Sequence, residues 1–188
     1  TAVSYQGNGS SNGDTKNIPL DFTPDLVYIT GRENATHKQT ITSFAPQAVL
    51  ATSGNYAEYS FTGARTRPRG FDAAYSSSSS YTMNTNGHNY MAYCWKAGGA
   101  LVANTDGTIA SQVSVNKEAG FSIVTYTGTG ADGTVGHGLG KVPAVVIIKN
   151  RDRNVEWIVK HQKLSSGKIL YLNLSSGEDA ATGSNNGI

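Results

Sequence analysis

The residues best suited to chemistry lie between Tyr56 and Tyr90. Tyr56, Tyr59, Phe61, Tyr75, Tyr81 and Tyr90 are interleaved with Asn84, Asn86, His88 and Asn89. Tyrosine rings stack on the apolar faces of sugars, and side-chain amides reach hydroxyl groups. The stretch therefore points to a ligand-binding set of Tyr75, Tyr81, Asn84 and His88. The competing reading is that half of these tyrosines pack in a core or an interface. Arg65-Thr66-Arg67-Pro68-Arg69 in the same stretch is a short basic loop. It suits an acidic glycan, a neighbouring subunit or plain solvation.

No catalytic, metal or cofactor-binding set emerges. His37, His88 and His161 show no ligand spacing with one another or with Cys94. Cys94, set in an aromatic run, is expected to behave as a small buried hydrophobe. A glycosidase needs two carboxylates about 5–9 Å apart across one cleft. Glu58, Asp72 and Glu156 lie near aromatic residues, but no spacing singles out a pair. No Walker-type phosphate loop is present. His137, between two glycines, reads as a turn residue.

The elements that must position these residues read as strands. Phe121–Tyr126 is rich in β-branched and aromatic residues. Val155, Trp157 and Val159 alternate with Glu156, Ile158 and Lys160, and Leu170, Leu172 and Leu174 alternate with Ile169, Tyr171 and Asn173. Tyr90–Trp95 carries large rings on both faces. Ala144–Ile148 is a continuous apolar run after Pro143, short enough for a strand buried on both faces. Pro46–Thr52 is the best short helix candidate. Asn12-Gly13, Asn86-Gly87, Asp106-Gly107, Asp132-Gly133 and Asn186-Gly187 suit type I′ hairpin turns. Ser76–Ser80 reads as a mobile loop. Short strands between such turns describe an all-β fold, an antiparallel β-sandwich or jelly roll.

Composition agrees. Of 188 residues, 22 are Gly, 38 are Ser or Thr and 15 are Asn. Charged residues make up only 15%, against roughly 25% in ordinary globular domains, which disfavours a helical enzyme. Hydrophobic residues at 38% disfavour a disordered tail. The net charge is +2, and residues 1–120 balance 8 basic against 8 acidic side chains, so nothing answers a phosphate backbone and nucleic acid is not an expected partner. No apolar run approaches the ~18–20 residues that cross a bilayer, and no signal peptide is evident. The single Cys94 rules out an internal disulfide. The chain opens on Thr1 without an initiator Met, which suits a processed or excised piece.

A template recurs along the chain. Ser4-Tyr5-Gln6-Gly7-Asn8-Gly9 matches Thr125-Tyr126-Thr127-Gly128-Thr129-Gly130 at an offset of 121, and Leu20, Pro24, Ile29 and Arg32 match Leu139, Pro143, Ile148 and Arg151 at 119. This predicts a repeat unit over 1–120 and a partial second unit over 121–188 that lacks any counterpart to Tyr90–Gly99. Incomplete sandwiches expose sheet edges, which predicts oligomerisation or strand exchange.

Tyr90-Met91-Ala92-Tyr93-Cys94-Trp95-Lys96-Ala97-Gly98-Gly99 resembles a segment of repeat-built virion proteins of tailed marine bacteriophages, among them tail-fibre-like proteins. So do Asn104–Ile109, Gly120–Gly128, His137-Gly138-Leu139-Gly140 and Ile148-Lys149-Asn150-Arg151. The Ser4–Arg32 copy departs by carrying Asn17-Ile18-Pro19-Leu20 in place of the His-Gly-Leu-Gly element. The resemblance implies a non-enzymatic structural protein located in the virion and made in the host bacterial cytoplasm. It implies other virion proteins as partners, a homo-oligomer (a trimer by analogy with phage fibres), a host-surface glycan as ligand and no membrane insertion. The alternative is a capsid decoration or cement protein, with a polysaccharide depolymerase behind both.

Overall fold

The computed structural model describes residues 1–10, 15–34, 37–77 and 82–180, and every regular element among them is a β-strand. Among the described residues no helix is long and apolar enough to cross a membrane. Two compact units form: unit 1 is Thr1–Trp95 with Arg151–Asn154, and unit 2 is Lys96–Asn150 with Val155–Ile188. Residues 96–120 thus cluster with unit 2, whereas the repeat spacing groups them with the first unit.

Unit 1 contains β1 (Ala2–Gln6), β2 (Lys16–Pro19), β3 (Leu26–Gly31), β4 (Lys38–Thr42), β5 (Ala48–Ala51), β6 (Tyr59–Ser60), β7 (Arg65–Arg67), β8 (Gly70–Ala73) and β9 (Asn89–Trp95). They form an antiparallel six-stranded sheet, β1-β9-β3-β4-β5-β6, and a three-stranded sheet, β2-β8-β7. Alternation along each strand aims one face inward. Val27, Ile29, Ile41, Val49, Ala92 and Cys94 share one buried cluster with Ile18, Phe71 and Ala73 of the smaller sheet. Each large apolar side chain buried this way contributes about 1.5–3 kcal/mol. Tyr5 meets Phe71 edge-on across the two sheets, with ring centroids 6.1 Å apart. Unit 1 is therefore a two-layer β-sandwich.

The Gly7-Asn8-Gly9 sequence after β1 has a steric cause. A Cβ on Gly7 would lie 2.0 Å from the Thr85 carbonyl oxygen, and Gly9 has φ +70°. Gly7 N–H donates to His88 O, and Gly7 O accepts from Gly87 N–H. A side chain at residue 7 would push this turn away from the chain that leads into β9.

The helix expected over Pro46–Thr52 is absent. Its residues form β5, where Val49 and Ala51 enter the core and pair with Ile41 and Gln39. Tertiary burial overrides the local pattern. Gly87 and Gly107 adopt positive φ, but Asn86 and Asp106 before them do not, so neither pair makes the expected type I′ turn. Gly133 does not, so Asp132-Gly133 makes no type I′ turn. Asn12-Gly13 and Asn186-Gly187 lie outside the described residues, as does Ser78–Ser80 of the serine run.

Unit 2 contains β10 (Val102–Asn104), β11 (Ser111–Asn116), β12 (Phe121–Tyr126), β13 (Val145–Ile148), β14 (Ile158–His161), β15 (Lys168–Tyr171) and β16 (Asp179–Ala180). The sheets are β10-β11-β12 and β13-β14-β15-β16. Val113, Trp157, Ile158 and Ile169 are buried. The expectation that Ala144–Ile148 is buried on both faces is overturned: β13 is an edge strand with Val145, Val146 and Ile147 exposed. The alternations around residues 155–159 and 170–174 overreach as well. β14 begins only at Ile158, and Leu172 and Leu174 lie exposed beyond the end of β15.

The second four-stranded series reproduces the order β3-β4-β5-β6. A shift of 119 carries the pair Val27↔Ile41 onto Val146↔Lys160, and the hydrogen bond Ser43 N–H to Asp25 O onto Gln162 N–H to Ala144 O. A shift of 120 carries Ala48↔Ser60 onto Lys168↔Ala180.

Candidate functional site

Of the four residues selected from the sequence, Tyr75, Asn84 and His88 are among the described residues. Asn84 is fully buried and spends its side chain on the β1–β2 connection. Asn8 N–H donates to Asn84 Oδ1 at 3.0 Å, and Asn84 Nδ2 donates back to Asn8 Oδ1 at 2.8 Å. A buried amide satisfied on both ends is a structural pin. His88 turns toward His37, with ring centroids 5.8 Å apart. Tyr75 is half-buried, and Tyr81 lies outside the described residues.

His88 instead ends a run of rings along unit 1. Tyr5 stacks on Tyr90 at 5.2 Å, Tyr90 on His37 at 5.9 Å, and His37 meets His88. Tyr90 Oη accepts from Thr85 N–H at 3.0 Å and lies 3.2 Å from His37 Nδ1. The His37 tautomer sets which partner donates in the Tyr90–His37 contact. Burial, helped by the neighbouring His88, holds the His37 pKa below its ordinary value despite the opposing pull of Glu33. Burial pushes the Tyr5 phenol well above its usual range and the Cys94 thiol up to about 11. Cys94 is thus an inert packing residue, as its setting in an aromatic strand suggests.

The three acids considered for hydrolysis are each engaged. Asp72 is buried in β8 and takes Nε–H bonds from Arg65, at 2.9 Å, and from Arg67. Burial pushes its carboxyl up, but bonds from Arg65, Arg67 and Asn17 outweigh burial and leave it below the ordinary value. Arg65–Arg67, expected as a loop, forms strand β7 paired with β8, and its two arginines are the counter-charge of a buried carboxylate. Glu58 makes a two-point pair with Arg151, with Nε–Oε2 at 2.8 Å and Nη2–Oε1 at 2.7 Å. Glu156 accepts from Asn173 Nδ2. His137 Nδ1 accepts from Leu139 N–H at 3.2 Å, as a turn residue does. Among the described residues no group of three or more His, Cys, Asp or Glu is placed to hold a metal.

Gly9-Ser10-Ser11-Asn12-Gly13 has the Gly-x-Ser-x-Gly spelling of a nucleophile elbow. Hydrolases place that motif between a strand and a helix. No helix occurs among the described residues, and Ser11–Gly13 lie outside them.

The surface with binding chemistry is the outward face of the six-stranded sheet. Because Tyr90, Ala92 and Cys94 fill the core, β9 must turn Met91, Tyr93 and Trp95 outward. Register sets Tyr28 opposite Tyr93 and Leu26 opposite Trp95. Tyr28 and Tyr93 have centroids 6.1 Å apart, and Tyr93 stacks on Trp95 at 6.4 Å. Tyr93 is 41% and Trp95 38% exposed. Register also puts Ser4, Thr30, Lys38 and Thr42 on this face. Three rings in a row with hydroxyls at the margin form a platform for flat, partly apolar ligands. Strand parity was the available signal, since Tyr93 and Trp95 are two residues apart.

Fold and surface together define an all-β, two-unit protein whose first unit is a sandwich with an outward aromatic row. The chain belongs to the family of the domain of unknown function DUF7483, whose model matches residues 1–187. No curated protein and no solved structure matches it.

Proposed function

We propose that the chain is a non-enzymatic structural module of a tailed-phage virion, in a tail-fibre-like appendage, and that it contacts a host-surface glycan through Tyr28, Tyr93 and Trp95. The exposed ring row carries this reading. Flat rings stack on the C–H faces of sugars, and marginal hydroxyls reach sugar hydroxyls. The location in a virion rests on the resemblance of Tyr90–Gly99 and Gly120–Gly128. Single-site stacking is weak, so several copies in one appendage raise the avidity through effective concentration.

A glycan array tests this reading. Saturable binding, lost in Tyr93→Ala and Trp95→Ala with the melting temperature retained, is the expected result. Binding that survives both substitutions rules out the platform. Copies imaged at capsid lattice positions, without any glycan binding, favour the cement alternative, which the exposed aliphatic residues of unit 2 also suit.

A further inference from the structure

The open edge of β13 stands out against its counterpart in unit 1. β3 and β13 occupy the same place in matching strand series and pair with β4 and β14 in the same register. β3 is interior, with β9 hydrogen-bonded along its other edge. β13 is terminal, and no strand among the described residues pairs with that edge. The consequence is visible at matched positions: Val27 is 0% exposed, and Val146 is 37% exposed. β1 and β12 repeat the contrast. β1, which leads through Tyr5-Gln6 into Gly7, pairs with β9, whereas β12, which leads from Tyr126 into Thr127-Gly128, ends its own sheet. Among the described residues, unit 2 has no strand in the place that β9 takes in unit 1.

Nothing about β13 defends the edge. Protected edges are short, charged, bulged or interrupted by proline. At the opposite end of the same sheet, β16 has two residues and an aspartate. β13 is Val-Val-Ile-Ile, with no charge and no proline, and Ile147 is 52% exposed.

We infer that the free edge of β13 is a strand-acceptor site for an extended segment of β9 chemistry, added antiparallel by main-chain hydrogen bonds. Unit 1 specifies the occupant. Cys94 and Ala92 lie opposite Val27 and Ile29, and Trp95 and Tyr93 lie opposite Leu26 and Tyr28. The incoming strand therefore sets small residues against Val146 and Ile148 and large rings against Val145 and Ile147. Main-chain bonds supply affinity in this mode, and the alternating side chains supply selection. The acceptor edge is independent of the ring row and of any glycan.

The test is hydrogen–deuterium exchange of the full chain with a synthetic peptide copying residues 88–97. The expected result is exchange slowed about tenfold or more over Val145–Ile148, with no effect from a peptide of scrambled order. Val146→Lys abolishes the effect while protection in β14 and β15 reports an intact fold, and Val142→Lys, outside the strand, leaves it unchanged. Unchanged exchange on peptide addition overturns the proposal. So does slow exchange, in the dilute chain alone, of the β13 amides that point away from β14, which means that this chain covers its own edge. Protection that rises with chain concentration but not with peptide assigns the edge to a second copy and overturns the β9-like occupant.

Discussion

Tyr90 and His37 lie face to face, rings 13° from parallel, with the phenol oxygen 3.2 Å from Nδ1. The pair joins β9 to the segment before β4 within a buried row and gives the fold a dependence on acid. The folded state holds the His37 pKa below its unfolded value, so the unfolded chain binds the proton more tightly. Stability from this residue is complete above the unfolded pKa of about 6.5 and is lost as pH falls from there through the depressed folded value. His88 and Glu33 face the same imidazole, one opposing and one favouring its charge. Melting temperatures between pH 8 and pH 5 are expected to fall on the acid side. Tyr90→Phe strips Thr85 N–H of its acceptor and lowers stability by about 1–3 kcal/mol in urea titration.

Asp72→Asn addresses the two arginines of β7. The buried carboxylate neutralises Arg65 and Arg67, which are 39% and 43% exposed. Removing its charge leaves two like charges side by side, and a loss of about 1–3 kcal/mol is expected. Solvent around the guanidinium groups keeps the loss below that of a fully buried pair. A denaturation midpoint that is unchanged would mean that solvent already screens the cluster.

Matched substitutions separate the two units. Val27→Ala removes two methyl groups from a closed core and costs about 1–3 kcal/mol. Val146→Ala, at the equivalent place on an open edge, costs less than about 1 kcal/mol. Thermal unfolding of the two variants checks the difference, and equal losses would show that the β13 edge is closed in solution.

Strand identity was legible wherever side-chain pattern and burial agree. β12 spans the residues its composition predicts, and β9 follows the aromatic run. The errors arise where the deciding contact is distant in sequence. Pro46–Thr52 looks helical until Ile41 and Tyr59 pair with Val49. Asn84 looks available to a ligand until Asn8, 76 residues away, takes both ends of its amide. His37 and His88 share no spacing that would reveal their contact. Val145–Ile148 has the composition of a buried strand, and composition carries no information on whether a neighbour is present. The ring row was half legible: alternation puts Tyr93 and Trp95 on one face, but only the burial of Ala92 and Cys94 decides that it faces outward.

The place of β9 also has a consequence for synthesis. The strand that links β1 to β3 begins 58 residues after Gly31, so β3 to β6 can pair as neighbours while β1 waits. On the ribosome the six-stranded sheet cannot close until residues 89–95 have emerged, and until then two apolar strand flanks are open to any chaperone or neighbouring nascent chain.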